Sequence, residues 1–226
     1  MGQAIGQILP TAIGVALSPV PIIGLILMLL SDRARTNGLA FLLGWILGLG
    51  TAGGILLAIS SGAGTESDDG TTDDWVGWLK VDLGVLLLFL AFRNWKQRPA
   101  PGEKGEMPAW MASVSQFNAI KAAGLAFALS AVNPKNLALT AAAVASIASA
   151  GLETGEEIVV LIIFIAIASI TIIIPVVAYF AMGEKADALL GSWRDWLERN
   201  NNVVMAVVFL IFAAKLLGDG IKVLTA

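Results

Sequence analysis

Six long apolar stretches dominate the sequence, and each is long enough to cross a bilayer core, which takes about 20 residues. The chain is 57% hydrophobic and only 14% charged, whereas a soluble domain carries about 25% charged residues. Because no soluble fold has an interior for six apolar helices, we predict an all-α integral membrane protein. The predicted spans are residues 3–30, 38–60, 75–94, 121–150, 157–182 and 202–224.

The positions of Lys and Arg predict the direction of these spans, because basic residues accumulate in cytoplasmic loops. Ten of them fall on one side of the predicted membrane and two on the other. We therefore expect a multi-pass membrane protein with both termini outside the cytoplasm. The basic side carries Arg33, Arg35, Arg93, Lys96, Arg98, Lys104, Lys121, Lys185, Arg194 and Arg199, and the other side carries Lys80 and Lys222.

Three connections between spans contain more than turn residues. Residues 62–74 are rich in Gly, Ser, Thr and Asp, which predicts a solvated outer loop. Residues 107–120 and 185–199 place apolar side chains at helical spacing with polar residues between them. We expect both segments to form amphipathic helices that lie in the cytoplasmic membrane interface.

Composition excludes several kinds of chemistry. The chain has no Cys and no His, so thiol nucleophiles, disulfides, Ser-His-Asp triads and Cys/His metal sites are excluded. Its acidic residues cluster in predicted outer loops, and its formal charge of −3 disfavours a nucleic-acid partner. We expect no metal, no cofactor and no enzyme activity. A Ser–Lys dyad of Ser18 and Lys135 is the one enzymatic alternative that the composition leaves open.

The sequence contains two related halves. The tripeptide Ala-Leu-Ser at residues 16–18 recurs at residues 128–130, in the first span of each set of three. A repeat with an odd number of spans must enter the membrane in the opposite direction the second time. We therefore predict a 3+3 inverted repeat. The first repeat covers residues 1–100, the second covers residues 121–226, and a cytoplasmic linker covers residues 101–120.

Prolines interrupt the first span of each half. Residues 18–21 read Ser-Pro-Val-Pro and residues 133–136 read Asn-Pro-Lys-Asn. Proline breaks a helix because it lacks the backbone N–H, and matching breaks in two halves indicate a transporter site. A lysine at this depth costs about 2.5–3.5 kcal/mol, which favours a functional role. The predicted substrate-binding residues are Ser18, Pro19, Pro21, Ser130, Asn133, Pro134, Lys135, Asn136 and Lys215, with Asp219 as a candidate for proton coupling.

Glycines are concentrated in the second predicted span and at its start. Small residues allow helix backbones to approach closely within a membrane, so we expect tight helix packing there. These residues are Gly38, Gly44, Gly48, Gly50, Gly53 and Gly54.

Three segments together resemble one known family. They are residues 16–48, residues 133–136 and the closing stretch at residues 214–220. The chain resembles the GAP family, the peptidoglycolipid- or sulfolipid-addressing proteins of the lysine-exporter (LysE) superfamily. This resemblance implies a six-helix inner-membrane protein that takes part in export of cell-envelope glycolipids. Amino-acid exporters of the same superfamily share the Asn-Pro-Lys element but usually carry Pro-Gly-Pro in span one, where this chain has Pro-Val-Pro.

The leading hypothesis is a secondary exporter that binds a polar or anionic substrate between spans one and four and works by alternating access. The expected substrate is a cell-envelope glycolipid or its headgroup precursor. Two alternatives remain, namely an amino-acid or small-solute exporter and a non-transporting assembly protein for lipid-synthesis or export machinery. The expected partners are membrane lipids and the substrate, and a homodimer is an open alternative to a monomer. An ATPase motif is missing from the sequence, so a gradient or a partner would drive transport.

Overall fold

A computed structural model describes residues 1–62, 74–100 and 109–225, and every regular element in these ranges is helical. Spans one, four and five each consist of two α-helices separated by a break. The α-helices are α1 (Gly2–Ala16), α2 (Pro19–Leu29), α3 (Ala34–Gly62), α4 (Asp74–Lys96), α5 (Ala119–Phe127), α6 (Pro134–Ala148), α7 (Thr154–Ala168), α8 (Ile170–Met182) and α9 (Ala186–Leu224).

The described helices give two to four candidate membrane spans by length and composition. Helices α3 and α9 are each long and apolar enough to cross a bilayer without a break. The α1–α2 pair, bent by 53°, and the α7–α8 pair, bent by 58°, add two more if each pair forms one span. The six predicted spans also include α4 and the α5–α6 pair. The latter falls short as a continuous span because it is divided into segments of 9, 5 and 15 residues.

The chain forms two compact units. The first comprises residues 1–65 and 107–195 and holds α1 to α3, α5 to α8 and the beginning of α9. The second comprises residues 66–106 and 196–226 and holds α4 and the remainder of α9. The two sequence repeats divide the chain differently, and the 3+3 arrangement stays a prediction.

Helix α2 lies in the core of the first unit. Nine of its eleven residues are buried, and it packs against α3 and α8. A helix that is apolar on every side fits the interior of a protein rather than its surface. The N-terminus of α2 therefore brings the predicted break at Ser18 into the protein core.

Tight packing of α3 depends on its glycines. A Cβ atom at Gly44 would lie 2.8 Å from Ala123 Cα, and one at Gly48 would lie 2.9 Å from the Phe127 carbonyl oxygen. Both neighbours are backbone atoms of α5, so a side chain at either position would push the two helices apart. The predicted close packing is confirmed at Gly38, Gly44, Gly48 and Gly53, whereas Gly54 has open space beside it.

The linker at residues 107–120 differs from the predicted amphipathic α-helix. Its described part forms a 3-10 helix, Ala109–Gln116, in which Met111 and Val114 are buried and which packs against α2. A spacing of three residues places these side chains in one row, because a 3-10 helix has three residues per turn. Asn37 of α3 also donates a hydrogen bond to the Phe117 carbonyl (2.8 Å). This row therefore faces protein, and the position of the segment in the cytoplasmic membrane interface stays a prediction.

The segment at residues 185–199 does not form a separate helix. It belongs to α9, which runs without a break to Leu224 because the sequence contains no proline between residues 186 and 224. Asn200 stays within this helix and donates its side-chain N–H to the Trp196 carbonyl (2.7 Å). The segment is therefore the beginning of α9 and not a separate helix, and its position in the membrane interface stays a prediction. The predicted outer loop at residues 62–74 lies almost entirely outside the described residues.

Candidate functional site

The break in span one leaves the hydroxyl of Ser18 available for contacts outside its own helix. Ser18 is the N-cap of α2, but its side chain makes no capping bond. Pro19 and Pro21 occupy the first and third helical positions and have no N–H to offer it. The Ser18 hydroxyl instead donates to the Val15 carbonyl (2.7 Å) and lies 3.2 Å from Asn136 Oδ1 of α6.

The break in span four begins with a π-helical turn, Ala128–Val132. Turns of this kind are frequent at functional sites. Asn133 then caps α6, and its side-chain oxygen accepts a hydrogen bond from the Lys135 backbone N–H (3.0 Å). Pro134 at the first helical position fits because that position needs no N–H donor. The motif therefore starts a new helix within the predicted span.

The first turn of α6 joins the two breaks. The Lys135 ammonium donates to Ser18 Oγ (2.7 Å) and to the Leu17 carbonyl (3.1 Å) of span one. Asn136 Nδ2 donates to the Leu129 carbonyl (2.8 Å) at the other break. We call the cluster of the Leu17 carbonyl, Ser18, Lys135 and Asn136 the break site.

The break site carries a positive charge that lacks a counterion within the part of the chain that the structure describes. No carboxylate there lies within 4 Å of the Lys135 ammonium, whose two hydrogen-bond acceptors are neutral oxygens. Lys135 is half-buried. The N-termini of α2 and α6 add partial positive charge at Ser18 and Asn133. This combination favours an anionic group over a metal ion.

A third break, which the sequence analysis missed, lies in span five. Helices α7 and α8 meet at Ser169 with a bend of 58°. Two residues later, Thr171 donates its hydroxyl to the Ala16 carbonyl at the end of α1 (2.7 Å). Pro175 is the nearest signal in the sequence, because its missing N–H removes the usual helical donor to the Thr171 carbonyl, but it lies six residues after the break. Span five thus contacts the first break through Thr171.

The other predicted site residues lie in different surroundings. Ser130 is buried, donates to the Phe127 carbonyl (3.1 Å) and faces Gly48 of α3. Lys215 and Asp219 belong to the second unit, where both are exposed. They form no ion pair with each other in that described helix. Their roles in substrate binding and proton coupling stay predictions.

A cavity of about 470 Å³ lies at the opposite end of α2 from Ser18. Its lining includes Asp32, Arg35, Tyr179 and Asp187. Because α2 has eleven residues, this cavity and the break site are separated by about 16 Å along the helix axis. Arg33 and Arg35, which belong to the predicted cytoplasmic side, follow this end of α2 in the sequence.

Comparison with family models shows a match to the Sap, sulfolipid-1-addressing protein family over residues 8–222. No curated protein and no solved structure matches the chain significantly. The matched range includes all three helix breaks and the whole break site. The chain therefore belongs to the Sap, sulfolipid-1-addressing protein family.

Proposed function

We propose that this protein is an inner-membrane secondary exporter and that the break site binds the anionic or polar headgroup of its substrate. Membership of a sulfolipid-addressing family suggests a role in glycolipid export or addressing. The observation that supports the binding site is the Lys135 ammonium, which has only neutral oxygens as partners among the described residues. The substrate class that fits best is a cell-envelope glycolipid or its headgroup precursor.

The charge of the site supports an anionic headgroup. A lysine within a membrane span costs about 2.5–3.5 kcal/mol. A sulfate, phosphate or carboxylate group would supply the missing countercharge through a charge-assisted hydrogen bond. Ser18 and Asn136, which are buried and bonded to each other, would hold the Lys135 ammonium in place, and the cap provided by Asn133 would keep Lys135 in the first turn of α6.

Alternating access at this site would use the two breaks as hinges in a six-span, LysE-like inverted repeat. The recurrence of Ala-Leu-Ser at residues 16–18 and 128–130 supports the repeat. Ser18 and Ser130, which match in the sequence, each donate to the carbonyl three residues earlier, Val15 and Phe127 respectively. The cavity beside Arg35 would serve as a vestibule on the cytoplasmic side.

The 2.7 Å contact between Lys135 and Ser18 also has the separation of a Ser–Lys dyad. A lysine that activates a serine must be neutral and accept the hydroxyl proton. Here Ser18 directs its proton to the Val15 carbonyl, and the lysine nitrogen donates to the Ser18 oxygen. This pattern favours a charged lysine in a binding site over a general base. We therefore propose a role without catalysis.

Reconstitution of the purified protein into liposomes tests transport directly. The probe is a sulfated glycolipid with a fluorescent headgroup, whose movement between leaflets is followed by dithionite quenching. We expect Lys135→Ala to reduce the rate at least about tenfold, since it removes the charge that binds the headgroup. Lys121→Ala is the matched control, because it removes an exposed lysine at the start of α5. Wild-type rates for Lys135→Ala would refute the assignment of the site.

The same liposomes separate the alternative functions. Movement of free lysine, with no movement of the glycolipid, would favour the amino-acid exporter. A purified protein that moves neither probe, but co-purifies with lipid-synthesis machinery, would favour the assembly protein. Covalent labelling of Ser18 by a serine-directed probe would favour the enzyme.

A further inference from the structure

Two successive carbonyls at the end of α1 are held by two different helices. The Ala16 carbonyl accepts one hydrogen bond from the Ser18 backbone N–H (2.9 Å) and a second from Thr171 of α8 (2.7 Å). The Leu17 carbonyl accepts one from Lys135 of α6 (3.1 Å). Both oxygens lie at the break where α1 ends, so the ordinary helical donors are not available to both of them. The α1 break is therefore joined to each of the other two broken spans.

These two bonds fix the orientation of adjacent peptide groups. A peptide group is planar, so a bond to its oxygen restrains the whole unit between two Cα atoms. Fixing the Ala16 carbonyl limits rotation of the chain that leads into Leu17 and Ser18. The oxygens that accept hydrogen bonds from Lys135 thereby stay in place. A movement at the α7–α8 break would shift Thr171, which is only two residues from Ser169.

We propose that Thr171 is a positioning residue of the break site. Its hydroxyl holds the Ala16 carbonyl and thereby keeps the Leu17 carbonyl and Ser18 hydroxyl against the Lys135 ammonium. Span five is in this way a third structural part of the site, although Thr171 itself does not contact the headgroup. The inference rests on the proposed function only in taking the break site as the place where substrate binds.

A single-cysteine experiment measures the opening of the break without knowledge of the substrate. The native chain contains no cysteine, so Ala16→Cys provides a unique thiol. The Ala16 side chain is buried, so a thiol there is labelled only when the break opens, and the contact of Ala16 with Thr171 uses the backbone oxygen, which the substitution keeps. The rate of labelling by a small methanethiosulfonate reagent in detergent micelles reports how often the break opens.

Thr171→Val removes the hydroxyl and keeps the shape of the side chain. We expect it to raise the labelling rate about fivefold, as the loss of one hydrogen bond predicts. Thr171→Ser keeps the hydroxyl and should therefore show the same labelling rate as the single-cysteine protein with Thr171. Thr11→Val is the control, because Thr11 loses the same hydroxyl but donates to Ile8 within its own helix (2.8 Å) and not to the break. An unchanged rate in Thr171→Val, or an equal rise in Thr11→Val, would overturn the proposal.

Glycolipid movement in liposomes provides the second measurement. Thr171→Val should raise the KM for the sulfated glycolipid more than it lowers the maximal rate, because the binding groups are present but less well positioned. A protein that moves no glycolipid would refute the proposed function, while the labelling rates would still decide the role of Thr171.

Discussion

Lys135 Nζ lies 2.7 Å from Ser18 Oγ, although the two residues are 117 positions apart in the sequence. The contact joins the first turn of α6 to the N-cap of α2, so two interrupted spans share one polar cluster. Within that cluster, Asn136 donates to a carbonyl of its own span while its oxygen lies close to Ser18. The hydroxyl, amide and carbonyl groups at the two breaks therefore form hydrogen bonds largely with each other. The positive charge of Lys135 has no neutralising partner among the described residues.

A double-mutant cycle should show that Ser18 and Lys135 stabilise the protein as a pair. Ser18→Ala and Lys135→Met each remove one side of the same hydrogen bond, so their effects should not add. We expect a coupling energy of about 0.5–3 kcal/mol in the free energy of unfolding, measured by denaturation in detergent micelles. Ser146→Ala is a suitable control partner for Lys135→Met, because Ser146 donates to the Ala142 carbonyl within its own helix. Additive effects of Ser18→Ala and Lys135→Met would contradict a direct interaction.

Two substitutions of Asn133 should distinguish its effect on the stability of α6 from the effect of the site's charge on glycolipid movement. Asn133→Ala removes the cap on the Lys135 N–H and should lower the free energy of unfolding by about 0.5–2 kcal/mol. Asn133→Asp keeps the cap, because aspartate is an equally good N-cap, but it adds a negative charge close to Lys135. We therefore expect Asn133→Asp to retain stability and to slow movement of the anionic glycolipid in liposomes. Equal transport by Asn133→Asp and the native protein would argue against an anionic substrate.

The sequence was sufficient to predict the breaks at Ser18 and Asn133, because they follow from the local chemistry of proline. The break at Ser169 was not predicted, because no proline lies at that point and the apolar pattern continues through it. The continuous α9 was missed for the opposite reason. A change from amphipathic to apolar character near residue 200 suggested two helices, but a change in polarity does not end a helix.

Long-range contacts could be predicted only in part. Glycines in α3 predicted close packing, but α5 as the partner of Gly44 and Gly48 depends on the tertiary fold. The contact of Thr171 with the α1 break left no pattern in the sequence, because a hydroxyl in an apolar run has many potential partners. Met111 and Val114 illustrate the same difficulty, since an apolar face can pack against protein as well as against lipid.

Alanine substitutions along α3 should distinguish close contacts from open positions. Gly44→Ala and Gly48→Ala place a methyl group against α5 and should each lower the free energy of unfolding by about 1–3 kcal/mol. Gly54→Ala lies on the same helix with no atom nearby and should be neutral or stabilising by up to about 1 kcal/mol, since alanine favours helix. Thermal denaturation in micelles compares the three variants. Equal stability of all three would show that α3 and α5 pack less closely than described.

Ser169→Ala should stabilise the protein. The Ser169 hydroxyl is buried and has no hydrogen-bond partner among the described residues, and it does not cap α8. Its removal should raise the free energy of unfolding by about 1 kcal/mol, because an unsatisfied buried hydroxyl is destabilising. Ser18→Ala provides the comparison, since the hydroxyl lost there is bonded, and it should be destabilising. A larger loss of stability in Ser169→Ala than in Ser18→Ala would indicate that a water molecule binds this hydroxyl.

Labelling at residue 100 should decide between the six predicted spans and a four-span arrangement. In the six-span arrangement Ala100 follows α4 on the cytoplasmic side. If only α1–α2, α3, α7–α8 and α9 cross, it lies outside. The chain has no native cysteine, so Ala100→Cys can be tested in intact cells with a membrane-impermeant maleimide. We expect labelling only after permeabilisation, because Arg93, Lys96 and Arg98 precede this position and basic residues favour the cytoplasmic side.

Two control variants calibrate the result. Thr225→Cys should be labelled in intact cells under either arrangement, and Thr36→Cys should be labelled in intact cells under neither. Labelling of Ala100→Cys in intact cells would exclude α4 and the α5–α6 pair as spans and, with them, the inverted repeat on which alternating access depends.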